Sequence, residues 1–271
     1  MKLNELTTEK PNRVRVLLKA VKQQETKAGK PYVVLTVCDG ENEDQAKLWD
    51  TTEDSLSIKI GEVFDAVMTK DDYGLTIKQP EPIDQAEVDI SEFIPTAPMD
   101  LELLYVAIME MIATIENEFL RKLVETIYVH AKQLIMYASA AKMLHHNILG
   151  GLMWHQYRMA KMAEQTAAVY GKEVNRDLII AGSLLHDIGK LQEMETDTFG
   201  NAEYTKKGFL FGHLYLGSRI VEQYARSLKD VAIDQDLLEN LLHIIVSHHG
   251  KQEYGAIVAP QTMEAYVVSE L

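Results

Sequence analysis

Two rhythms of apolar and polar residues divide this chain. Over residues 12 to 80 the pattern has the period of strands. In "NRVRVLLKAV", Arg13 and Arg15 alternate with Val14 and Val16, which places two charges on one face and two valines on the other. "KPYVVLTVCDG" is β-branched and ends on the turn pair Asp39-Gly40, and "DQAKLWD" is a short strand. "EVFDAVMTKDDYGLTIKQ" reads as two strands joined by a tight turn through Asp71-Asp72-Tyr73-Gly74. Four or five short strands in so few residues predict a small β-barrel over 1–88. "DISEFIPTAPMD" has two prolines and no period, so 89–99 reads as a linker.

After Asp100 the spacing becomes helical. "DLELLYVAIMEMIATIENEFLRKLVETIYVH" contains no Gly or Pro and reads as one helix with Asp100 as its N-cap. Further helices are predicted near 130–143, 151–170, 176–187, 212–228, 235–248 and 261–271. Gly171, Gly200, Gly208 and Gly250 are taken as breaks. The expected architecture is α+β multidomain: a small barrel followed by an all-α bundle over 100–271.

Composition narrows the class. Hydrophobic content of 46% with 25% charged residues suits a globular protein. No apolar run approaches the ~20 residues of a membrane span, and "MKLNELTTEK" is too polar for a signal peptide. Cys38 is the single cysteine, which excludes a disulfide framework or a cysteine metal site within the chain. A cytoplasmic protein with no membrane partner is expected. The net charge of −14 argues against a generic DNA-coating protein. Residues 1–30, however, carry eight Lys or Arg against three Glu. A local basic patch can still bind phosphates; a solvated basic edge explains the same count equally well.

The histidines are unevenly placed. Eight of nine lie between 145 and 249, and none precedes 130. His155, the His186–Asp187 pair, His213 and the His248–His249 pair are separated by 31, 27 and 35 residues. Each interval fits one helix plus a connection, so successive sites can return to one point in a bundle core. Imidazoles with a carboxylate suit borderline divalent ions. A carboxylate can bridge two of them, and such a pair can activate a water for in-line attack on phosphorus. Lys190 can meet a phosphate as a point charge, either from a continuing helix or turned inward at Gly189. A lone histidine in a bundle is more often an ordinary core or surface residue; that reading fits His130 and His243, and His145 and His146 have no clear role.

These residues resemble the HD-domain phosphohydrolase superfamily. The strings "LHHNILGGLMWH", "NRDLIIAGSLLHDIGK", "KKGFLFGHLYLG" and "IIVSHHGKQEYGAIVAPQTMEA" are similar to one branch, the YhaM-type 3′–5′ exoribonucleases, and "AKLWD" to the OB-fold that branch carries in front. The resemblance implies a two-metal phosphodiesterase. His155, His186 and Asp187 would hold one ion. Asp187 would bridge to a second held by His213 and His248, with His249 as ligand or substrate contact. Asp187 and Lys190 would be catalytic. Manganese is the first expectation, with Fe, Co, Zn and Mg as alternatives.

The implied substrate is single-stranded RNA, trimmed from its 3′ end to nucleoside 5′-monophosphates. Single-stranded DNA and self-association are left open. Arg13, Arg15, Lys19 and Arg158 would contact the strand. Stacking on Tyr32, Trp49 or Tyr73 is the functional reading of those aromatics, although Tyr32 and Trp49 are expected more readily in the barrel core.

The superfamily closes its first metal site with a later aspartate. That position falls past Leu271, and no Asp follows Asp236. Either the helical domain is shortened at its end or the natural protein lacks this ligand; in both cases the first ion site is expected to miss one ligand, and neither Glu264 nor Glu270 is nominated instead. Two alternatives remain. One is a nucleotide or cyclic-dinucleotide phosphohydrolase, although "HHGKQEYGAIVAP" lacks the Gly-Tyr-Pro signature of the cyclic-dinucleotide branch. The other is a non-catalytic nucleic-acid-binding protein with an incomplete metal site.

Overall fold

A computed structural model describes residues 1–7, 10–72, 74–139, 148–197, 199 and 202–271. Tyr73, His145 and His146 lie outside the described residues. The chain forms two compact units, 1–95 and 96–271.

The first unit is a closed five-stranded barrel of OB-like topology. Its strands are β1 (Asn12–Glu25), β2 (Pro31–Cys38), β3 (Glu43–Trp49), β4 (Val63–Asp71) and β5 (Gly74–Pro82), ordered β1-β2-β3-β5-β4. All neighbours are antiparallel except β3 and β5. Closure depends on the length of β1. Its first half pairs with β4 and its second half with β2, with an irregularity between Leu18 and Ala20 where the strand bends. The alternation read from "NRVRV" holds: Val14 and Val16 are buried and Arg13 and Arg15 exposed. The valines join Leu18, Val33, Leu35, Val37, Phe64 and Ile77 in the barrel core. Each such side chain contributes about 1.5–3 kcal/mol by burial.

Tyr32 and Trp49 are not in that core. They face each other across β2 and β3 with ring centroids 4.7 Å apart, and Trp49 is 43% exposed. The register decides this, because Val33 and Leu48, one residue along, take the inward positions.

The second unit is helical, with one short hairpin that hydrophobic periodicity does not reveal. Its elements are α1 (Leu101–Ala113), α2 (Glu118–Ile135), α3 (Gly151–Tyr170), α4 (Arg176–Leu185), α5 (Lys190–Glu193), β6 (Met194–Thr196), β7 (Ala202–Tyr204), α6 (Lys206–Ser227), α7 (Gln235–Ser247) and α8 (Met263–Glu270). Asp100 caps α1 as expected, its carboxylate accepting from the Leu103 N–H. The single helix predicted over 100–130 is two. Asn117 caps α2 through the Leu120 N–H, and its own N–H donates to Asp177 at 2.7 Å, so a tertiary partner fixes the break. No helix among the described residues is long and apolar enough to cross a membrane.

Helix α4 is the centre of the unit. In "RDLIIAGSLL" every residue from Leu178 onward is buried, because an apolar helix without a polar face has to be covered all round. It packs against α3, α7, α2 and α8. Helix α6 starts earlier than the glycines suggest. Gly208 lies within its first turn, and the interruption is at Gly212, with φ 66° and ψ 161°.

Candidate metal centre

Local structure brings each candidate ligand to the end of an element or to a break. His186 is the C-cap of α4, and Asp187 follows in the turn that leads to α5. His248 is the C-cap of α7, with His249 next to it. His213 follows the Gly212 interruption, and His155 lies in the first turns of α3. Helix ends leave backbone carbonyls unsatisfied, and the imidazoles make use of this. His186 Nδ1 lies 2.8 Å from Ser183 O, and His248 Nδ1 lies 2.8 Å from Ile245 O. His249 Nδ1 lies 3.0 Å from Tyr254 O. Donation of Nδ1–H to those carbonyls leaves the Nε2 lone pair free to act as a ligand.

The Nε2 atoms converge on Asp187. Its Oδ2 lies 3.3 Å from His186 and 3.6 Å from His155. Its Oδ1 lies 3.4 Å from His213 and 3.6 Å from His248. His155 and His186 approach to 3.1 Å, and His213 and His249 to 3.3 Å. Two groups able to hold a metal ion result, His155–His186–Asp187 and His213–His248–His249. The two oxygens of one carboxylate face them, one oxygen to each. Asp187 Oδ1 is buried and has no hydrogen-bond partner within normal reach. A buried anionic oxygen beside unprotonated nitrogens is costly unless a cation completes it. The residues therefore fit a divalent pair.

Electrostatics prepare the site. Burial by itself would raise the Asp187 carboxyl. The surrounding imidazoles and the Lys190 ammonium, 2.8 Å away, outweigh it and hold the group well below the usual carboxylate range. Lys190 Nζ reaches Asp187 Oδ2 at 2.8 Å, so the turn at Gly189 brings the lysine over the site. Burial pushes His248 down to about 4, so it is neutral and ready to ligate at physiological pH.

A pH dependence follows for chelator-treated protein. The folded His248 value lies below the unfolded 6.5, so between pH 6.5 and about 4 the unfolded chain takes up a proton that the folded one does not. Stability should fall as pH drops through that window, by an amount on the order of 3 kcal/mol from this residue. His243 and His249, also lowered by burial, act in the same direction. Thermal melts at pH 7 and pH 4.5 in chelator test this; equal midpoints would contradict it.

His130 and His243 stay out of the centre. His130 Nδ1 contacts Thr126 O, and His243 Nε2 accepts from the Gln261 N–H. Glu264 accepts from the Asn175 N–H at the start of α4, which engages its carboxylate there. Glu193, in contact with His213, is a neighbour of the centre that sequence reading missed. Its buried carboxylate Oε1 lies 3.1 Å from His213 Nδ1 and accepts from the His213 N–H at 3.0 Å. No spacing rule marks it, because its partner is twenty residues away.

The expected strand-binding cations are placed differently. Arg13 is ion-paired with Asp65 at 3.2 Å and Glu81 at 2.6 Å, Arg15 with Asp65 at 2.8 Å, and Lys19 with Glu43 at 2.7 Å. The positive excess counted along residues 1–30 is thus partly offset in space by β3, β4 and β5. Arg13 and Arg15 line a cavity of about 380 Å³ together with Lys2, Asp39, Asp65 and Glu92. The Arg13–Glu81 and Lys19–Glu43 pairs lie largely in solvent and are each worth ~0–1 kcal/mol, whereas Asp65 is buried and holds its arginines more firmly. Arg158 is exposed on α3, three residues beyond His155.

Comparison with known proteins identifies the region that carries these residues. A family model described as HD domain matches residues 153–270, a span containing all six converging residues. A protein of Oceanobacillus iheyensis named 3′-5′ exoribonuclease YhaM is 32% identical, over 92% of this chain and 79% of its own length. The chain belongs to the YhaM family. The similarity runs through both units: the Listeria innocua protein of that name is 30% identical over 94% of this chain and 82% of its own length. The Bacillus licheniformis protein is 30% identical over 89% and 76%. The OB-like barrel followed by a helical HD unit is accordingly the fold of this YhaM-family chain.

Proposed function

We propose that the chain is a metal-dependent 3′–5′ exoribonuclease that trims single-stranded RNA to nucleoside 5′-monophosphates, using two divalent ions, manganese first among them. The observation that carries this reading is the pair of ligand groups facing the two oxygens of Asp187 inside the HD unit. The names of the relatives, 3′-5′ exoribonucleases, supply the direction and the polymer. A mixed imidazole and carboxylate set suits manganese, iron or zinc.

When bound, the ion pair supplies Lewis-acid activation of water and neutralises charge at the phosphodiester. The chain's own groups do the rest. Asp187, held as an anion, keeps the two halves of the site in register, and anchored Nδ1 atoms fix the rings of His186, His213, His248 and His249. Lys190, partly exposed beside Asp187, can bind a non-bridging phosphate oxygen and stabilise the charge that grows there during attack. Water adds to the terminal phosphorus, the P–O3′ bond breaks, and a 5′-monophosphate leaves behind a new 3′-hydroxyl. On the barrel, exposed Trp49 beside half-buried Tyr32, with Lys47 5.9 Å from the Trp49 ring, offers a stacking surface for bases.

Digestion of end-labelled single-stranded RNA with Mn²⁺ tests the reading. A 5′-labelled oligomer should shorten progressively from its 3′ end, and a 3′-labelled one should release its label first as a mononucleotide. RNA left intact, or hydrolysis confined to free nucleotides, would overturn the proposal.

A further inference from the structure

Three of the anchored imidazoles are held by backbone carbonyls, those of Ser183, Ile245 and Tyr254. His213 is held by a side chain. Glu193 Oε1 accepts from the His213 backbone N–H at 3.0 Å and lies 3.1 Å from its Nδ1. Both contacts depend on the interruption of α6. Gly212, at φ 66° and ψ 161°, departs from helical backbone, and the next N–H finds its acceptor outside the helix. That φ favours glycine.

The carboxylate is itself fixed from behind. Glu193 ends α5, and its carbonyl accepts from the Thr205 N–H at 2.9 Å. Thr205 caps α6 through the Gly208 N–H and donates its hydroxyl to Gln192 O at 2.7 Å. At Gly208 a Cβ would stand 2.1 Å from Glu193 O, so the first turn of α6 lies directly on this residue. Glu193 thereby joins the end of α5 to both sides of the α6 break. His213 Nε2 in turn points at Asp187 Oδ1 and His249 Nε2, 3.4 and 3.3 Å away.

We propose that Glu193 is the positioning residue of the His213–His248–His249 group. It sets the tautomer and rotation of His213 and strengthens Nε2 as a ligand, and so controls occupancy of one ion position without touching ion or substrate. This rests on the metal reading above. A carboxylate acceptor makes an imidazole a better donor than a carbonyl does, and such outer partners govern metal affinity.

Manganese titration of the chelator-stripped full chain, followed by calorimetry, tests the assignment without any RNA. Wild type, Glu193→Ala, Glu193→Gln, His213→Ala and the Glu193→Ala/His213→Ala double variant are compared. Glu193→Ala should weaken one of the two binding events roughly 10–100-fold and leave the other within about threefold. The isosteric Glu193→Gln, which keeps an oxygen acceptor but not the charge, should fall between. In the His213→Ala background the Glu193 substitution should add nothing, because its effect passes through that ring.

Two outcomes overturn the proposal. One is Glu193→Ala and Glu193→Gln proteins that bind both ions as wild type does. The other is a loss equally large with His213 already gone. If Glu193→Ala fails to fold, Glu193→Gln and its double variant with His213→Ala carry the same comparison. Wild-type protein that binds manganese but leaves RNA intact would sink the exoribonuclease reading alone.

Discussion

Asp187→Ala is expected to abolish RNA trimming, lowering the rate roughly 10³-fold or more, since both ion positions lose their shared oxygen ligand at once. No other residue in the site has that reach. His155 and His186 face Oδ2, His213 and His248 face Oδ1, and Lys190 Nζ rests on Oδ2. The substitution also leaves the lysine without its closest anion. Loss of a single histidine should be milder, because the neighbouring group keeps its own donors and the carboxylate. Paired assays read the result: end-labelled RNA for the rate and manganese titration for stoichiometry. Residual trimming within tenfold of wild type would show that the bridge is elsewhere. A thermal melt of the metal-free variant separates chemistry from folding.

Gly189→Ala is the second substitution with a large expected effect, and it acts through backbone. A Cβ at Gly189 would stand 2.0 Å from His213 O and 2.5 Å from Gly217 N. Both are main-chain atoms of α6, so no side-chain rotation relieves the clash. Either α6 moves away or the turn carrying Asp187 deforms. The backbone at this position is ordinary helical, φ −63° and ψ −22°, so the requirement for glycine is entirely one of close approach. Overpacking of this kind costs about 1–3 kcal/mol or more, and a unit of this size loses roughly 2–4 °C in midpoint per kcal/mol. Because His213 lies on the displaced helix, manganese affinity should fall with stability. A variant that melts and binds manganese like wild type would contradict the close contact between turn and helix.

These two substitutions mark the boundary between what is legible in one dimension and what is not. The candidate ligands were legible because several imidazoles and an aspartate recur together at helix-length intervals, and because "HDIGK" and "SHHG" sit where helices end. The barrel was legible because strand alternation is written locally in "NRVRV" and in the β-branched run that follows. Periodicity was poorer at breaks. Asn117 stops a helix that composition would continue, since Asp177 accepts its N–H from sixty residues away. Gly208 looked like a break and is a packing contact, while Gly212 is the actual interruption.

Charge was legible as a count but not as a field. Eight cations near the amino terminus predict a basic patch, yet Asp65, Glu81 and Glu43 come from other strands and pair with three of them. Trp49 shows the same limit for apolar residues. Its strand is evident from sequence, but the face it occupies depends on register with β2, and the register leaves it outside with Tyr32.

From sequence alone, then, come the two rhythms, the candidate ligand set and the family likeness, because each is carried by residue types at short or regular spacing. The rest is decided by tertiary structure: which oxygen of Asp187 faces which imidazoles, the turning of Lys190 onto that carboxylate, and the contact of Glu193 with His213. Those depend on distances between residues that only folding brings together. The physical reason is that a metal centre requires angstrom-scale convergence, and spacing along a chain constrains the candidates without fixing where their nitrogens point.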